Sequence, residues 1–423
     1  VSTMNAVENL AKRDDGIAGL RTILAPERLV ESVHSRLGRA TIDDIKLDYI
    51  RYKPGMNCIA RYVVKAGGQT VNAYAKAHGP DAPCKMEKAE IRRASESALG
   101  PGRILLESEN VVFSIFPNDS KLEAIQALAV EGEKERLLRR VFGRDSLWQE
   151  CEFDQPLSYK PERRYVVRIK HPSRDLALLK FHTPQGYQRI LSNKHTANVI
   201  GYSERRAVFA HRWLAGDTLR DISNSGRLRA HHIGAAASAL AAFHGGSTED
   251  HAMPHRSIQL GAIHTLGAQI GFLLPHLRTR AIRTAKALGA WLAAEEPVLS
   301  SVHGDFYDEQ VVIRGNDAFL IDLDEVRLDD PLVDLGNYAA HMERDVISNL
   351  QSSVQCQQHL RTLVSAYESE RGAISETRLR HYVALSLFRL VHQPFRDFEN
   401  CWPERIQEIL GRVENLVEGE GTL

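Results

Sequence analysis

Cysteine is scarce and unpatterned in this sequence. The five cysteines, Cys58, Cys84, Cys151, Cys356 and Cys401, are odd in number and form no CxxC pair, which argues against a disulfide framework and a thiolate zinc site. A reducing, cytoplasmic setting is expected. An excess of either charge is also lacking: 54 Lys and Arg balance 54 Asp and Glu, with an isoelectric point near 7.4. Nothing in that balance draws the chain to nucleic acid or an anionic membrane, so the expected partner is a small diffusing molecule. No run approaches the roughly 18 apolar residues of a membrane span, the Ala-rich stretch 233–243 being too short. The opening VSTM carries no basic segment before an apolar one, and no secretory signal is expected. The GxxxxGK loop, the GxSxG elbow and the HExxH helix are all missing. Their absence removes the commoner nucleotide-binding and hydrolytic chemistries.

What is present is concentrated in residues 302–335, VHGDFYDEQVVIRGNDAFLIDLDEVRLDDPLVDL. Two short β-branched and aromatic runs, 311–313 and 318–321, flank the turn-forming Gly315-Asn316-Asp317 and predict a hairpin. Asp305 and Gln310 precede its first strand, and Asp322 and Asp324 follow its second. A tight hairpin sets those two ends side by side, so four oxygen-bearing side chains converge, as hard divalent cations require. Asp324, two residues beyond Asp322 on an extended segment, is expected on the same face.

His303-Gly304-Asp305 with Gln310, then Ile321-Asp322-Leu323-Asp324, Asp330-Pro331 and Asp334-Leu335, resembles the catalytic core of the aminoglycoside phosphotransferase and choline kinase group. That group is a small-molecule branch of the protein-kinase-like fold. The resemblance implies an α+β, bilobal fold with a β-rich small lobe and a mostly helical C-terminal lobe. It implies ATP and Mg²⁺ as cofactors, with Asp305 accepting the proton of the acceptor hydroxyl and with Gln310 and Asp322 as metal ligands. The usual residue at the place of Gln310 is Asn; glutamine keeps the amide oxygen and adds a methylene. His303 and Asp334 are expected to orient backbone, and Asp324 to hold substrate or metal.

Upstream, a three-strand, helix, two-strand pattern occurs twice. The first copy has runs at 47–55, 58–64 and 70–77, a helical stretch at 84–99, and runs at 104–106 and 111–116. The second has YKPERRYVVRI, an echo of YKPGMNCIARYVV, a run at 176–181, a helical segment near 186–191, and runs at 198–202 and 206–213. A charged helical connector, 131–140, links them. The small lobe is thus expected twice, giving modules at 1–130, 131–215 and 216–423. In the resembling family a lysine on the third strand reaches the phosphates. Lys180, in the copy joined to the catalytic lobe, is favoured over Lys76, which is expected at an exposed strand end. Glu87 and Glu90 follow Lys76, whereas no acidic residue lies between Lys180 and Glu204, leaving Gln185 or Gln188 as neighbours for Lys180. Residues 212–219 resemble the family's hinge, which assigns Trp213 and Leu214 to the adenine.

Helical periodicity fills the rest: 230–243, 263–292, 346–365, 378–392 and 404–416. Between the last two lies QPFRDFENCWPE, 393–404, whose rings and charges suit a polyhydroxylated or amine-bearing ligand and nominate Arg396, Trp402 and Glu404. ATP is expected between the second small lobe and the helical lobe. The expected activity is phosphoryl transfer to a hydroxyl of a sugar or amino sugar, a glucosamine-type kinase being one form. Aminoglycoside inactivation, a choline-like acceptor and a catalytically silent kinase-like binding module are the alternatives.

Overall fold

Three long alternating runs build the first sheet: β1 (Asp44–Lys53), β2 (Asn57–Ala66) and β3 (Gln69–His78), completed by β4 (Arg103–Leu106) and β5 (Val111–Ile115). The strand order is β1-β2-β3-β5-β4, antiparallel throughout. The second sheet has β6 (Glu152–Lys160), β7 (Arg164–Lys170), β8 (Leu176–His182), β9 (Val199–Ser203) and β10 (Val208–Arg212). Its order, β6-β7-β8-β10-β9, is the same. The duplication extends into the turns. The fourth strand of each sheet passes to the fifth through one 3₁₀ turn ending in a left-handed residue, Asn110 (φ 54°) or Ala207 (φ 52°). Each such residue accepts from the histidine ending the third strand, His78 N–H to Asn110 O at 3.0 Å and His182 N–H to Ala207 O at 2.9 Å. That backbone costs an alanine about 1–2 kcal/mol, so the sheet pattern imposes the turn. Lys76 and Lys180 occupy the same place, two residues before those histidines and opposite Val112 and Phe209.

This computed structural model describes residues 3–37, 41–144, 146–173, 175–192, 198–247 and 256–420. The chain divides into two compact units, one of Val1–Arg189, Thr196–Trp213 and Phe395–Cys401, the other of Ile190–His195, Leu214–Pro394 and Trp402–Leu423. Both sheets belong to the first unit and share a core in which Ile59 and Tyr74 of the first sheet join Tyr159, Tyr165, Val167 and Phe181 of the second. The connector, helix Glu133–Phe142, contributes Leu137, Leu138 and Val141 to that core. It is amphipathic and half-buried where a solvated link was expected. The helix after β3 stops at Ile91, eight residues short of its expected end.

Lys76 is not an exposed strand-end residue. Its ammonium lies 2.8 and 2.9 Å from the two oxygens of Glu162, a carboxylate with side-chain exposure of only 1%. The partner comes from the turn between β6 and β7, in the other sheet, and not from Glu87 or Glu90. Burial pushes the Glu162 carboxyl up, but Lys76, Ser120 and Lys121 outweigh it and hold the group below its usual range.

The second unit is mostly helical, with Leu219–Asn224, Ala230–His244, Arg256–Leu273, Arg278–Ala294, Leu332–Ile347, Ser353–Arg371, Glu376–Leu390 and Trp402–Glu418. The expected helix 263–292 is two helices, parted at Leu274-Pro275 because proline cannot continue the first. Val346 closes one helix instead of opening the next, since the chain turns through left-handed Asn349 (φ 56°). Five short strands complete this unit: β11 (Asp217–Thr218), β12 (Ser300–Val302), β13 (Val311–Arg314), β14 (Asp317–Leu320) and β15 (Arg327–Asp329). They form the sheet β11-β13-β14 and the pair β12-β15. No helix among the described residues is long and apolar enough to cross a membrane.

The Lys76–Glu162 pair predicts a stability effect. Lys76→Ala leaves a buried carboxylate that keeps Ser120 at 2.7 Å and the more distant Arg51 and Lys121. The expected loss is about 1–3 kcal/mol, read from urea unfolding. A change within about 0.5 kcal/mol would mean that the pair is no more than a surface contact.

Candidate active site

The loop from β12 to β13 carries His303, Asp305 and Gln310, and a single carboxylate organises it. Asp334, in the first turn of helix Leu332–Ile347, is wholly buried. It accepts from His303 N–H at 2.7 Å and Gly304 N–H at 2.8 Å. Its Oδ2 also accepts from His244 Nε2 at 2.9 Å, and His244 Nδ1 meets the Tyr367 hydroxyl at 2.8 Å. Burial alone would raise the Asp334 carboxyl, but the bond to His244 and the His303 backbone N–H hold it below its ordinary value. Gly304 turns here with φ 82°, and a Cβ would lie 2.4 Å from the Glu325 carbonyl oxygen, so only glycine fits. Phe306 O accepts from the Asn337 amide at 3.0 Å, tying the loop to the same helix.

His303 then joins the loop to the hairpin. Its Nε2 donates to Ile321 O at 2.8 Å and its Nδ1 accepts from Asp305 N–H at 3.3 Å. A carbonyl can only accept and a backbone N–H only donate, so the ring is the neutral Nε2–H tautomer. The hairpin pairs Val311 with Leu320 and Arg314 with Asp317, so the turn is Gly315-Asn316 and Asp317 belongs to the strand. Ile321 N–H donates to Gln310 O at 3.0 Å. Asp305, Gln310 and Asp322 are thereby each bonded through backbone or neighbour to the segment around Ile321. Asp305 and Asp322 are half-buried, Gln310 buried. Asp322 takes a left-handed conformation, φ 60° and ψ 48°, which opens the 3₁₀ turn Leu323–Glu325. The segment is therefore not extended, and the expected shared face of Asp322 and Asp324 does not follow: Asp324 lies buried within the turn.

A second set of residues carried no signal in the sequence. Asp308, in the 3₁₀ turn Asp308–Gln310, lies 2.9 Å from Arg220 Nε, and the same guanidinium bonds Asp345. Arg220 belongs to helix Leu219–Asn224, whose start is fixed by the Thr218/Asp221 capping box. Strand β11 just before it pairs with β13, and Gly216 (φ 150°) lies so close to the hairpin that a Cβ would sit 2.4 Å from Ile313 O. The capping box is legible as Thr-x-x-Asp; the ion triad, spanning 125 residues, is not. Tyr307 stacks on His341 with centroids 4.1 Å apart. The Tyr307 hydroxyl donates to Glu309 at 3.2 Å. Gln310 is buried beside them, and of its two amide ends only the oxygen could serve a cation.

The remaining nominated residues fall in separate settings. Lys180 is buried in β8 of the first unit, and the Gln188 amide donates to Glu204 at 3.0 Å. Trp213 is the last residue of its segment in the first unit and Leu214 opens a segment of the second. Trp213 N–H donates to Leu176 O at 3.1 Å, and the Arg168 guanidinium lies 5.2 Å from its ring centroid. The Arg396 guanidinium lies 5.8 Å from the Tyr49 ring centroid, both in the first unit. Trp402 is fully buried, so its ring packs into protein and offers no face to a ligand, a correction to the expected aromatic platform. Glu404 is exposed. Asp330 and Pro331 act structurally: the Asp330 carboxylate accepts from Leu332 N–H at 2.9 Å, Val298 N–H at 3.0 Å and Arg378 at 2.5 Å.

Asp308 supplies a pH signature. Burial pushes its carboxyl up to about 6 against the opposing charge of Arg220, with Asp345 and Glu309 adding to the rise. The folded form therefore holds its proton to higher pH than the unfolded chain. The Asp308 contribution to stability is largest below about pH 4 and falls as pH rises through about 6. Thermal melts between pH 4 and 7 should show Asp308→Asn gaining stability relative to the parent as pH rises to about 6, then running parallel. A constant difference across the range would refute the shift.

A model of the phosphotransferase enzyme family matches residues 155–367, a little over half of the 423. The match begins within β6 and ends in helix Ser353–Arg371, so it holds the second sheet and the hairpin and leaves the first sheet outside. No curated protein matches. Similar solved structures include a choline/ethanolamine kinase family protein from Mesorhizobium loti, 16% identical, covering 60% of this chain and 85% of its own, TM-score 0.45. They also include a thermostable mutant of aminoglycoside phosphotransferase APH(4)-Ia, 18% identical, covering 64% and 96%, TM-score 0.48. A third is the ADP-bound aminoglycoside phosphotransferase APH(2'')-Ib, 12% identical, covering 68% and 99%, TM-score 0.46. With a β-rich N-terminal part, a helical C-terminal part and the family's match running through both, this chain belongs to the phosphotransferase enzyme family and has its protein-kinase-like fold.

Proposed function

We propose that this protein transfers the γ-phosphoryl group of ATP to a hydroxyl of a small molecule, with a sugar or amino sugar as first choice of acceptor. The observation that carries this reading is the His303 bridge, which binds the Asp305 backbone on one nitrogen and the residue before Asp322 on the other. A base and a metal ligand are thus held by one ring, itself anchored on buried Asp334. Asp305 orients the acceptor hydroxyl and takes its proton. Lys180, on the only small-lobe copy inside the family match, serves the phosphates, and the backbone at Trp213 and Leu214 serves the adenine.

The chemistry of the donors suits Mg²⁺. Among the described residues no group of three or more His, Cys, Asp or Glu could enclose a metal. Magnesium does not ask for one, being held by one or two protein oxygens together with phosphates and water. The Asp322 carboxylate and Gln310 amide oxygen provide those protein oxygens. When bound, the ion neutralises phosphate charge that builds during transfer.

The test is ADP release with ATP and Mg²⁺ across a panel of sugars, amino sugars, aminoglycosides and choline. Asp305→Asn should lower turnover on the accepted substrate by about 10²–10⁴-fold with nucleotide affinity nearly unchanged. Full activity of that variant would overturn the assignment. Gln310→Ala should raise the Mg²⁺ concentration needed for half-maximal rate, and an unchanged metal titration would remove Gln310 from the ligand set.

A further inference from the structure

The first sheet contains a cavity that the phosphotransfer reading does not use. Strand alternation places it. Tyr74 pairs with Ser114 and Ser114 with Arg103, while Lys76 pairs with Val112, so these side chains share one face of β3, β5 and β4. Their strand neighbours Ala73, Ala75, Ala77, Phe113 and Ile104 are buried on the opposite face. Helix Ala82–Ile91 and the residue after it bring Lys85, Lys88 and Arg92 over the polar face, and Lys121 closes the side. The cavity, half open to solvent, has a volume of about 200 Å³.

The lining is strongly cationic. Six Lys and Arg side chains, Lys76, Lys85, Lys88, Arg92, Arg103 and Lys121, face one carboxylate, Glu162. Glu162 is already engaged by Lys76, with Ser120 and Lys121 beside it. Lys88, Arg92 and Arg103 have no carboxylate partner among the described residues; Arg103 instead donates to Ala89 O and Arg92 O at 3.0 and 2.7 Å. His78, also on the wall, is pushed down to about 4 by burial and then by Lys76. Two buried donors are left over. Ser114 Oγ, on a residue 1% exposed, and Arg103 Nη2 have no hydrogen-bond partner among the described residues, although an orphaned buried polar group is costly in a folded chain.

We infer that this cavity binds a small phosphomonoester, its phosphate held by Arg103, Ser114 and the lysines of helix Ala82–Ile91. Phosphate suits a site with several cationic donors and a hydroxyl, because its oxygens accept many charge-assisted bonds at once. The size suits the ester: a volume of about 200 Å³ has room for a phosphate and a few carbons. Ligand pockets for drug-sized molecules run to about 300–1,000 Å³, so this one suits the phosphate end of a small ester. The cavity is lined by residues of the first unit alone, whereas Asp305 and Asp322 belong to the second, and the inference holds whether or not the chain proves to be a kinase.

The test is isothermal titration of the full chain with glucose 6-phosphate and, separately, inorganic phosphate, at ionic strength matched with chloride. Glucose 6-phosphate should bind to the parent and to Lys180→Ala alike. Lys88→Glu, a change at an exposed helical position, should weaken it at least tenfold, and Ser114→Ala at least threefold. Ser114→Ala should also leave the melting temperature unchanged or raised, because the hydroxyl has no internal partner to lose. Absence of binding, binding of inorganic phosphate alone, or binding that survives Lys88→Glu and Ser114→Ala but is lost in Lys180→Ala would each overturn the inference.

Discussion

The Asp334 carboxylate is the constraint on which the loop carrying Asp305 and Gln310 depends. A carboxylate with no exposed surface survives only if its oxygens are filled by donors, and here three are supplied: two successive backbone N–H groups and a histidine ring. Filling them fixes the direction in which the chain leaves β12. That direction sets the His303 ring, and the ring sets both Asp305 and the carbonyl before Asp322. The helix dipole helps, since Asp334 sits in the first turn of its helix, where negative charge is favoured. Order therefore passes from a wholly buried charge to the side chains proposed to meet substrate and metal.

The hairpin and its flanking acids were legible because they are local. Strand runs, a Gly-Asn turn and carboxylates at both mouths all lie within about twenty residues, and period-two reading recovers them. What escaped the sequence were the partners that fold brings from far away. Arg220 reaches Asp308 and Asp345 across 88 and 125 positions, and nothing in a run of residues marks such a meeting. Asp324 was misread for a different reason. Alternation assumes an extended chain, whereas Asp322 adopts the left-handed conformation that Asp tolerates better than most residues, and the following turn breaks the period.

The duplicated sheet was visible as an echo of YKP and as a recurring pattern, and the structure extends it to the turn that follows each fourth strand. The fates of the two lysines were not visible. Glu87 and Glu90 lie close after Lys76 in sequence and on the helix where a partner would be sought, yet the carboxylate that meets it comes from the second sheet. Proximity along the chain is a weak guide to ion pairs once sheets pack, because the pair is chosen by what lies under the strand. The shared core of the two copies, which holds Tyr74, Tyr159 and Tyr165 in one cluster, brings Glu162 within reach. Lys76 is thereby held to a structural partner inside the first unit, a constraint set by the packing of the two copies against each other.

Burial separates two uses of the same residue type. Asp334, Asp119 and Glu162 are deeply buried, and each is met by several donors: backbone N–H groups for all but Glu162, which has Lys76 and Ser120. Such groups are rigid because moving any one would strand a charge in a medium of low polarity. Asp305 and Asp322 are only half-buried. The base and metal-ligand roles proposed for them require access to a hydroxyl proton and to a hydrated cation, which partial exposure permits. Their accuracy has to come from neighbours whose own polar groups are filled. His303 meets that requirement in its neutral form, since a ring that both accepts from Asp305 N–H and donates to Ile321 O has no spare valence for chemistry of its own. The division follows from solvation: the fully buried charges carry position, and the proposed chemistry falls to the half-exposed ones.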